Sequence, residues 1–235
     1  MRWRRRSTDL APWLRQRAEE GSPGVKAAAA IIEPRRQELL SSEQSVTDAF
    51  EGKGQLNPVS VKDEVARASS SPEKGALLYA LARRAAPGSA VEFGSAFGIS
   101  AAYVIAGLQD GGGGRFTTVE ASSSRSALAR DTATLVPAPN VTSTFAIALF
   151  DDRLDTLDGA ALVFIDGNHQ APATAHYVEQ ALTRAATEVI LVLDDIRGYS
   201  AEMDALWRTL ARDRRFSGVG EWRDVGVLVR GARIS

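Results

Sequence analysis

From residue 72 onwards, short apolar runs alternate with longer segments whose apolar residues recur every three or four positions. The apolar runs predict strands buried on both faces, and the periodic segments predict helices. The predicted strands cover residues 91–93, 116–119, 141–146, 161–165, 189–193, 218–222 and 225–229. The predicted helices cover residues 72–86, 100–108, 124–135, 149–157, 172–186 and 201–213.

This alternation is typical of a parallel sheet with helices on both faces. Only Arg223 and Asp224 separate the last two predicted strands, so those strands must pair as an antiparallel hairpin. We therefore expect an α/β, Rossmann-like fold. Its seven-stranded sheet is mostly parallel and has an antiparallel hairpin at its C-terminal end.

Residues 1–71 follow a different pattern and are predicted to form an N-terminal helical cap or extension of a main domain at 72–235. Helices are predicted at 10–19 and 25–40, and Pro34 is expected to kink or divide the second one. The rest reads as a long polar loop with a short helix near 61–67. The apolar run 27–32 needs a partner surface, which predicts a cap or a dimer contact; a disordered tail is the alternative.

Composition excludes several classes of function. The 235-residue chain has a net charge of −1, so no nucleic-acid partner is expected. It contains no cysteine, which rules out disulfides, cysteine-bound zinc and a thiol nucleophile, and which fits a cytoplasmic protein. No apolar run has the length of a membrane span, so we expect no membrane partner.

The stretch from Glu92 to Ser100 predicts a ligand-binding turn, because a strand, a glycine turn and a helix follow one another. Gly94 and Gly98 allow sharp bends and close approach of a ligand to the backbone. The N–H groups that open the following helix favour a carboxylate or a phosphate. The G-x-x-x-G spacing differs from the dinucleotide motif and from the P-loop. An ordinary tight turn is the alternative.

Acidic residues follow four of the predicted parallel strands, at the edge where α/β sheets bind ligands. These residues are Glu92, Glu120, Asp166 and the pair Asp194 and Asp195. Glu120 follows Gly98 by 22 residues. In nucleotide-binding α/β units, a carboxylate at this position accepts hydrogen bonds from the ribose hydroxyls. Both S-adenosylmethionine (SAM) and NAD contain such a ribose, so Glu120 does not distinguish between them.

The last three acids lie on strands that should be neighbours. Carboxylates that meet at one edge repel each other unless they are protonated or bound to a cation, and oxygen ligands suit Mg²⁺, Ca²⁺ or Mn²⁺. Alternatively, Asp166 contacts only the cofactor, while Asp194 and Asp195 cap the next helix.

The pattern E-x-G-x-x-x-G-x-S resembles motif I of the class I SAM-dependent methyltransferases. The segments Phe164–His169 and Leu193–Ile196 are similar to a bacterial group related to the metal-dependent O-methyltransferases of the catechol and macrolide-tailoring kind. The resemblance implies the class I methyltransferase fold and SAM as cofactor. It implies that SAM is bound by Glu92, Gly94, Ser95, Gly98, Ser100, Glu120 and Asp166.

At matching positions, the metal-dependent members carry an acid followed by an acid–amide or acid–acid pair. The resemblance therefore implies a divalent cation, such as Mg²⁺, on Asp166, Asp194 and Asp195. It also implies a catalytic role for Asp166 and for His169, which stands where those enzymes carry a base; otherwise His169 is a turn residue. Imidazole side chains suit this role because they titrate near neutral pH. Arg197 departs from the group, which often has a histidine after the acidic pair.

These observations predict a SAM-dependent methyltransferase that acts on oxygen of a small molecule, for example in natural-product tailoring. An NAD-dependent oxidoreductase on a similar sheet is one alternative, although it would require the absent G-x-G-x-x-G turn. A non-catalytic SAM-binding protein is the other. A homodimer is left open, and the sequence does not identify the methyl acceptor.

Overall fold

The computed structural model describes residues 8–47 and 58–231. The strands are β1 Thr8–Asp9, β2 Ser45–Thr47, β3 Pro58–Ser60, β4 Ser89–Phe93, β5 Gly114–Glu120, β6 Val141–Ile147, β7 Ala160–Ile165, β8 Val189–Leu193, β9 Gly218–Trp222 and β10 Val225–Arg230. The helices are α1 Ala11–Glu20, α2 Pro23–Leu40, α3 Val61–Ala68, α4 Pro72–Ala85, α5 Ile99–Asp110, α6 Ser123–Thr134, α7 Ala171–Arg184 and α8 Ala201–Leu210. A 3₁₀ helix covers Asp151–Leu157.

The main sheet has the order β1-β9-β10-β8-β7-β4-β5-β6. Strands β4 to β8 pair in parallel, whereas β10 runs antiparallel to both β8 and β9. The α/β fold, the parallel sheet and the terminal hairpin are therefore confirmed. The strand count differs from the predicted seven because the two-residue strand β1 adds to the edge beside β9.

Two hydrophobic layers enclose the sheet, as expected for strands that alternate their side chains between faces. Ala90 and Leu162 face a layer that contains α1 to α5, whereas Val91 and Val163 face a layer that contains α7 and α8. The prediction of helices on both faces is therefore confirmed.

The N-terminal helices share the first of these layers. Leu14 of α1 and Ile32 of α2 are fully buried in the same cluster as residues of α4 and α5. The 71/72 boundary is thus a division of the sequence and does not separate two hydrophobic cores.

Pro34 does not divide the predicted helix, since α2 runs from Pro23 to Leu40 with Pro34 inside it, and a kink at Pro34 stays a prediction. Burial of Ile32 and Leu39 on either side of Pro34 offsets the lost backbone hydrogen bond. The polar segment 41–60 also contains the antiparallel pair β2 and β3, which its pattern did not predict. Within residues 8–47 and 58–231, no helix is both long and apolar enough to cross a membrane.

Candidate functional site

A cavity of about 840 Å³ opens at the carboxyl ends of the parallel strands. The turn after β4 forms one wall, the segments after β7 and β8 form another, and residues 67–71, from the end of α3 to the start of α4, form a third. Its volume falls within the range of small-molecule sites. The cavity therefore lies at the edge where the sequence placed the acidic residues.

Backbone strain concentrates around this cavity. Among the described residues, the non-glycine residues with positive φ are Ala96 (42°), Asn168 (49°), Asp195 (54°) and Arg223 (53°). All four line the cavity. Left-handed backbone is unfavourable for Ala96 and Arg223, whereas Asn and Asp tolerate it better, and such strain clusters at functional sites.

The glycine turn is required by the protein's own packing. Gly94 (φ 101°) and Gly98 (φ 80°) adopt conformations that disfavour a side chain. A Cβ at Gly94 would collide with the carbonyl oxygen of Asp166, and one at Gly98 would collide with the backbone of Ala129. Because these glycines have no side chain, the backbone that follows β7 and the backbone of α6 can pack against the turn. Gly98 itself does not line the cavity.

Three predicted cofactor residues offer polar atoms to the cavity. Ser95 is 1% exposed, and its hydroxyl has no hydrogen-bond partner among the described residues. Ser100 lies in the first turn of α5, which has no side-chain cap. The Glu120 carboxylate accepts the Ala96 N–H at 3.1 Å and the Ser122 N–H at 3.0 Å. Glu120 lines the cavity, where a carboxylate can accept hydrogen bonds from the hydroxyls of a ligand.

Glu92 lies below the turn and does not line the cavity. It is fully buried on β4, beside Thr118 of β5, and its carboxyl oxygens make no hydrogen bond of normal geometry. Burial raises the pKa of Glu92 to about 7, although the nearby hydroxyls of Ser100 and Thr118 lower it. The structure thus places Glu92 as a support of the turn, without access to a ligand.

The opposite end of the cavity contains His169 between two acids. Its Nδ1 lies 3.4 Å from Oδ2 of Asp195, and its Nε2 lies 3.9 Å from Oδ1 of Asp166. The ring packs against Tyr199, whose side chain is 57% exposed, with 5.1 Å between the ring centroids. The structure therefore brings together the two residues for which a catalytic role was predicted.

The two acids beside His169 have raised pKa values. Burial, followed by the charge of Asp194, holds the pKa of Asp166 well above its ordinary value. The same two causes, in the same order, raise the pKa of Asp195, against the lowering effect of His169 and Lys74. Perturbed carboxylates in a cleft are typical of functional sites.

The predicted metal ligands do not form a set of three on their own. The carboxylate oxygens that come within 4.8 Å of one another belong to Asp194, Asp195 and Asp224; Asp166 does not belong to this set. The ammonium of Lys74 donates to both oxygens of Asp194, at 2.7 and 2.9 Å, and lies 3.6 Å from Oδ2 of Asp224. A divalent ion bound to these oxygens does not fit while Lys74 stays where it is.

Lys74 remains charged in this position. Burial lowers its pKa, but the charges of Asp194 and Asp166, with the hydrogen bond to Asp194, raise it above its ordinary value.

Sequence reasoning missed Lys74 and Asp224. Asp224 lies in the β9–β10 turn, which reaches the same edge of the sheet because β9 runs parallel to β8. The predicted hairpin could therefore have placed Asp224 there. No local signal marks Lys74, since its partner lies 120 residues further along the chain.

Comparison with known proteins agrees with this geometry. Residues 91–196 match a family model described as a methyltransferase domain. This segment runs from β4 to just beyond β8 and contains the glycine turn, Glu120, Asp166 and the acidic pair. The methyltransferase resemblance is therefore confirmed for this part of the chain. No curated protein sequence matches the chain.

Three solved structures share the fold at low sequence identity. An O-methyltransferase from Bacillus cereus, solved with S-adenosylhomocysteine (SAH), is 19% identical; the match covers 91% of this chain and 99% of that one, with a TM-score of 0.59. The O-methyltransferase TomG from Streptomyces achromogenes, solved with SAM and involved in tomaymycin synthesis, is 19% identical, with coverage of 98% and 99% and a TM-score of 0.57. An SAH-bound methyltransferase from Podospora anserina is also 19% identical, with coverage of 93% and 94% and a TM-score of 0.61.

Proposed function

We propose that this chain, whose residues 91–196 form a methyltransferase domain, transfers a methyl group from SAM to an oxygen atom of a small molecule. The observation that carries the proposal is the cavity itself. It joins a glycine turn, whose Ser95 hydroxyl has no hydrogen-bond partner among the described residues, to a histidine flanked by two acids at the other end. The matching solved structures that contain SAM or SAH, and several that are O-methyltransferases, support this assignment.

The cofactor end would hold SAM through residues that already point to the cavity. The Ser95 hydroxyl and the first turn of α5, including Ser100, suit the methionine carboxylate, because helix N-termini favour anions. Glu120 suits the ribose hydroxyls. Gly94 and Gly98 shape the turn, Glu92 supports it from below, and Asp166 lies where the two ends of the cavity meet.

When bound, SAM supplies an electrophilic methyl group on its sulfonium. The residues at the acceptor end position the acceptor and take up its proton. His169 would accept the proton of the acceptor hydroxyl at Nε2, while Asp195 holds the Nδ1 side and stabilises the resulting imidazolium. The deprotonated acceptor oxygen would be the nucleophile for that methyl group, and His169 would keep the proton.

The N-terminal segment contributes to the same cavity. Arg67 at the end of α3 and the serines 69–71 line it, which supports the interpretation of residues 1–71 as a cap on one side. A homodimer and a cytoplasmic location stay predictions from the sequence.

Calorimetric titration with SAM and with NAD tests the cofactor, and SAH release in the presence of phenols, sugars and carboxylates tests the reaction. We expect SAM to bind and at least one hydroxyl acceptor to yield SAH. Binding of NAD alone would favour the oxidoreductase alternative. Binding of SAM without turnover on any acceptor would favour a non-catalytic SAM-binding protein.

Glu120→Ala tests the cofactor end directly. Loss of the carboxylate leaves ligand hydroxyls unpaired, so SAM affinity should fall by ~1–3 kcal/mol, or roughly 5- to 150-fold. Glu188→Ala is the matched control, because Glu188 is exposed at the opposite edge of the sheet, just before β8. Unchanged SAM affinity in Glu120→Ala would remove Glu120 from the site.

A further inference from the structure

Lys74 is a buried cation beside three acids, Asp194, Asp195 and Asp224, which we call the acidic cluster. Its backbone lies in the first turn of α4, where the Ser71 hydroxyl accepts the Lys74 N–H at 3.2 Å and fixes the start of the helix. Its side chain, only 12% exposed, reaches the end of β8, and its ammonium contacts both oxygens of Asp194. The partner carboxylate is 8% exposed. This contact is a shielded, bidentate ion pair, unlike the solvated pairs of the surface.

The carboxylates around Lys74 all have a partner that can carry positive charge. Asp194 and Asp224 lie at 2.7 and 3.6 Å from the Lys74 ammonium, while Asp195 lies 3.4 Å from His169. An ammonium has three N–H donors. Two are used on Asp194, and Asp224, at 3.6 Å, forms an ion pair with the ammonium without a hydrogen bond. The Lys74 ammonium therefore offsets part of the negative charge of these three acids, and the Asp194 carboxylate already has its counter-ion.

A divalent ion would have to occupy the position of this ammonium. Mg²⁺, Mn²⁺ and Ca²⁺ bind carboxylate oxygens at roughly 2.0 to 2.6 Å. An ion at that distance from the Asp194 oxygens would lie against the Lys74 ammonium and be repelled by its charge. Moving Lys74 aside would leave a buried ammonium without its partner, which is strongly unfavourable.

We infer that the Lys74 ammonium occupies the place that a divalent metal ion would need at this site. It pairs there with Asp194 and Asp224. The wild-type protein therefore binds no metal at the cluster, and removal of Lys74 creates a metal site from the three acids. Any consequence for catalysis rests on the proposed function. The binding statement does not, because it concerns the acids and the lysine alone.

Titration with Mn²⁺, followed by the electron paramagnetic resonance signal of the free ion, tests the inference. Wild-type protein should show no saturable Mn²⁺ binding in the millimolar range. Lys74→Ala should bind Mn²⁺ stoichiometrically and gain thermal stability from it, and Lys74→Ala with Asp194→Asn should lose that binding. Lys62→Ala is the matched control, since Lys62 on α3 forms an exposed ion pair with Glu43 and, among the described residues, makes no contact with the three acids. It should behave like the wild type.

Two results would overturn the inference. One is saturable Mn²⁺ binding by the wild type that Asp194→Asn abolishes; this measurement needs no lysine variant. The other is a folded Lys74→Ala protein, judged by circular dichroism, that binds no Mn²⁺. If Lys74→Ala does not fold, Lys74→Gln replaces it, because glutamine removes the charge while it keeps a hydrogen-bond donor. A failed search for methyl acceptors would leave both results unchanged, so the two proposals fail separately.

Discussion

The two ends of the cavity are built in different ways. The cofactor end comes from one continuous stretch, residues 94–100, together with Glu120 at the end of the adjacent strand. The acceptor end joins side chains from α4, β7, β8 and the β9–β10 turn, and its central ion pair spans 120 residues. The cofactor end thus depends on backbone conformation, whereas the acceptor end depends on buried charges that tertiary packing brings together.

His169→Gln should have the largest effect, and this effect should be confined to the acceptor end of the cavity. Removing a general base lowers the rate of proton transfer by roughly 10²- to 10⁴-fold, so kcat should fall by this factor while SAM affinity stays unchanged. His176→Gln is the control. His176 lies on α7 beside Asp151, is half-exposed, and does not line the cavity. A pH–rate profile that His169→Gln leaves unaltered would show that His169 is not the base.

The cofactor end is built from a local stretch and the acceptor end from distant residues, and this difference explains which parts of the site the sequence could predict. The turn around Gly94 and Gly98 was identified because glycine spacing and strand periodicity are local signals. The acids of β4, β5, β7 and β8 were placed at one edge because parallel strands share that edge. The Lys74–Asp194 pair has no local signal, and the pattern of α4 identified Lys74 only as a residue of a first helical turn. Burial of Glu92 was also missed, since an acid at a strand end resembles a ligand-binding residue.

Glu92→Gln should have the next largest effect, on stability rather than on catalysis. The pKa of Glu92 rises from 4.5 to about 7 on folding, so the folded state holds a proton that the unfolded chain loses first. The free energy of unfolding should therefore fall as the pH rises from 4.5 to 7 and remain low above it. One pH unit corresponds to roughly 1.4 kcal/mol, so the loss is about 3 kcal/mol.

Urea unfolding from pH 4 to pH 8 measures this loss. Glutamine cannot ionise, so the variant should match the wild type at low pH and exceed its stability by up to about 3 kcal/mol above pH 7. Asp166 and Asp195 also have raised pKa values, so only the difference between the two curves is assigned to Glu92. Parallel curves over the whole range would show that Glu92 is ionised inside the cofactor end.

Glu64→Gln should have the smallest effect and would sharpen the contrast, because it loosens α3, the helix that leads into the wall formed by residues 67–71. Glu64 of α3 pairs with Arg125 of α6 at 2.9 Å, with side-chain exposures of 14% and 10%, and Arg125 lines the cavity beside the cofactor end. Loss of this charge-assisted contact should lower the free energy of opening α3 by about 1 kcal/mol. Faster amide hydrogen exchange in α3, with unchanged exchange in α7, would report it.

The exposed Glu43–Lys62 pair is the control, and Glu43→Gln should leave exchange unaltered, since exposed pairs contribute little. Equal exchange in Glu64→Gln and the wild type would mean that core packing of Val61 and Val65, rather than the ion pair, holds this wall in place.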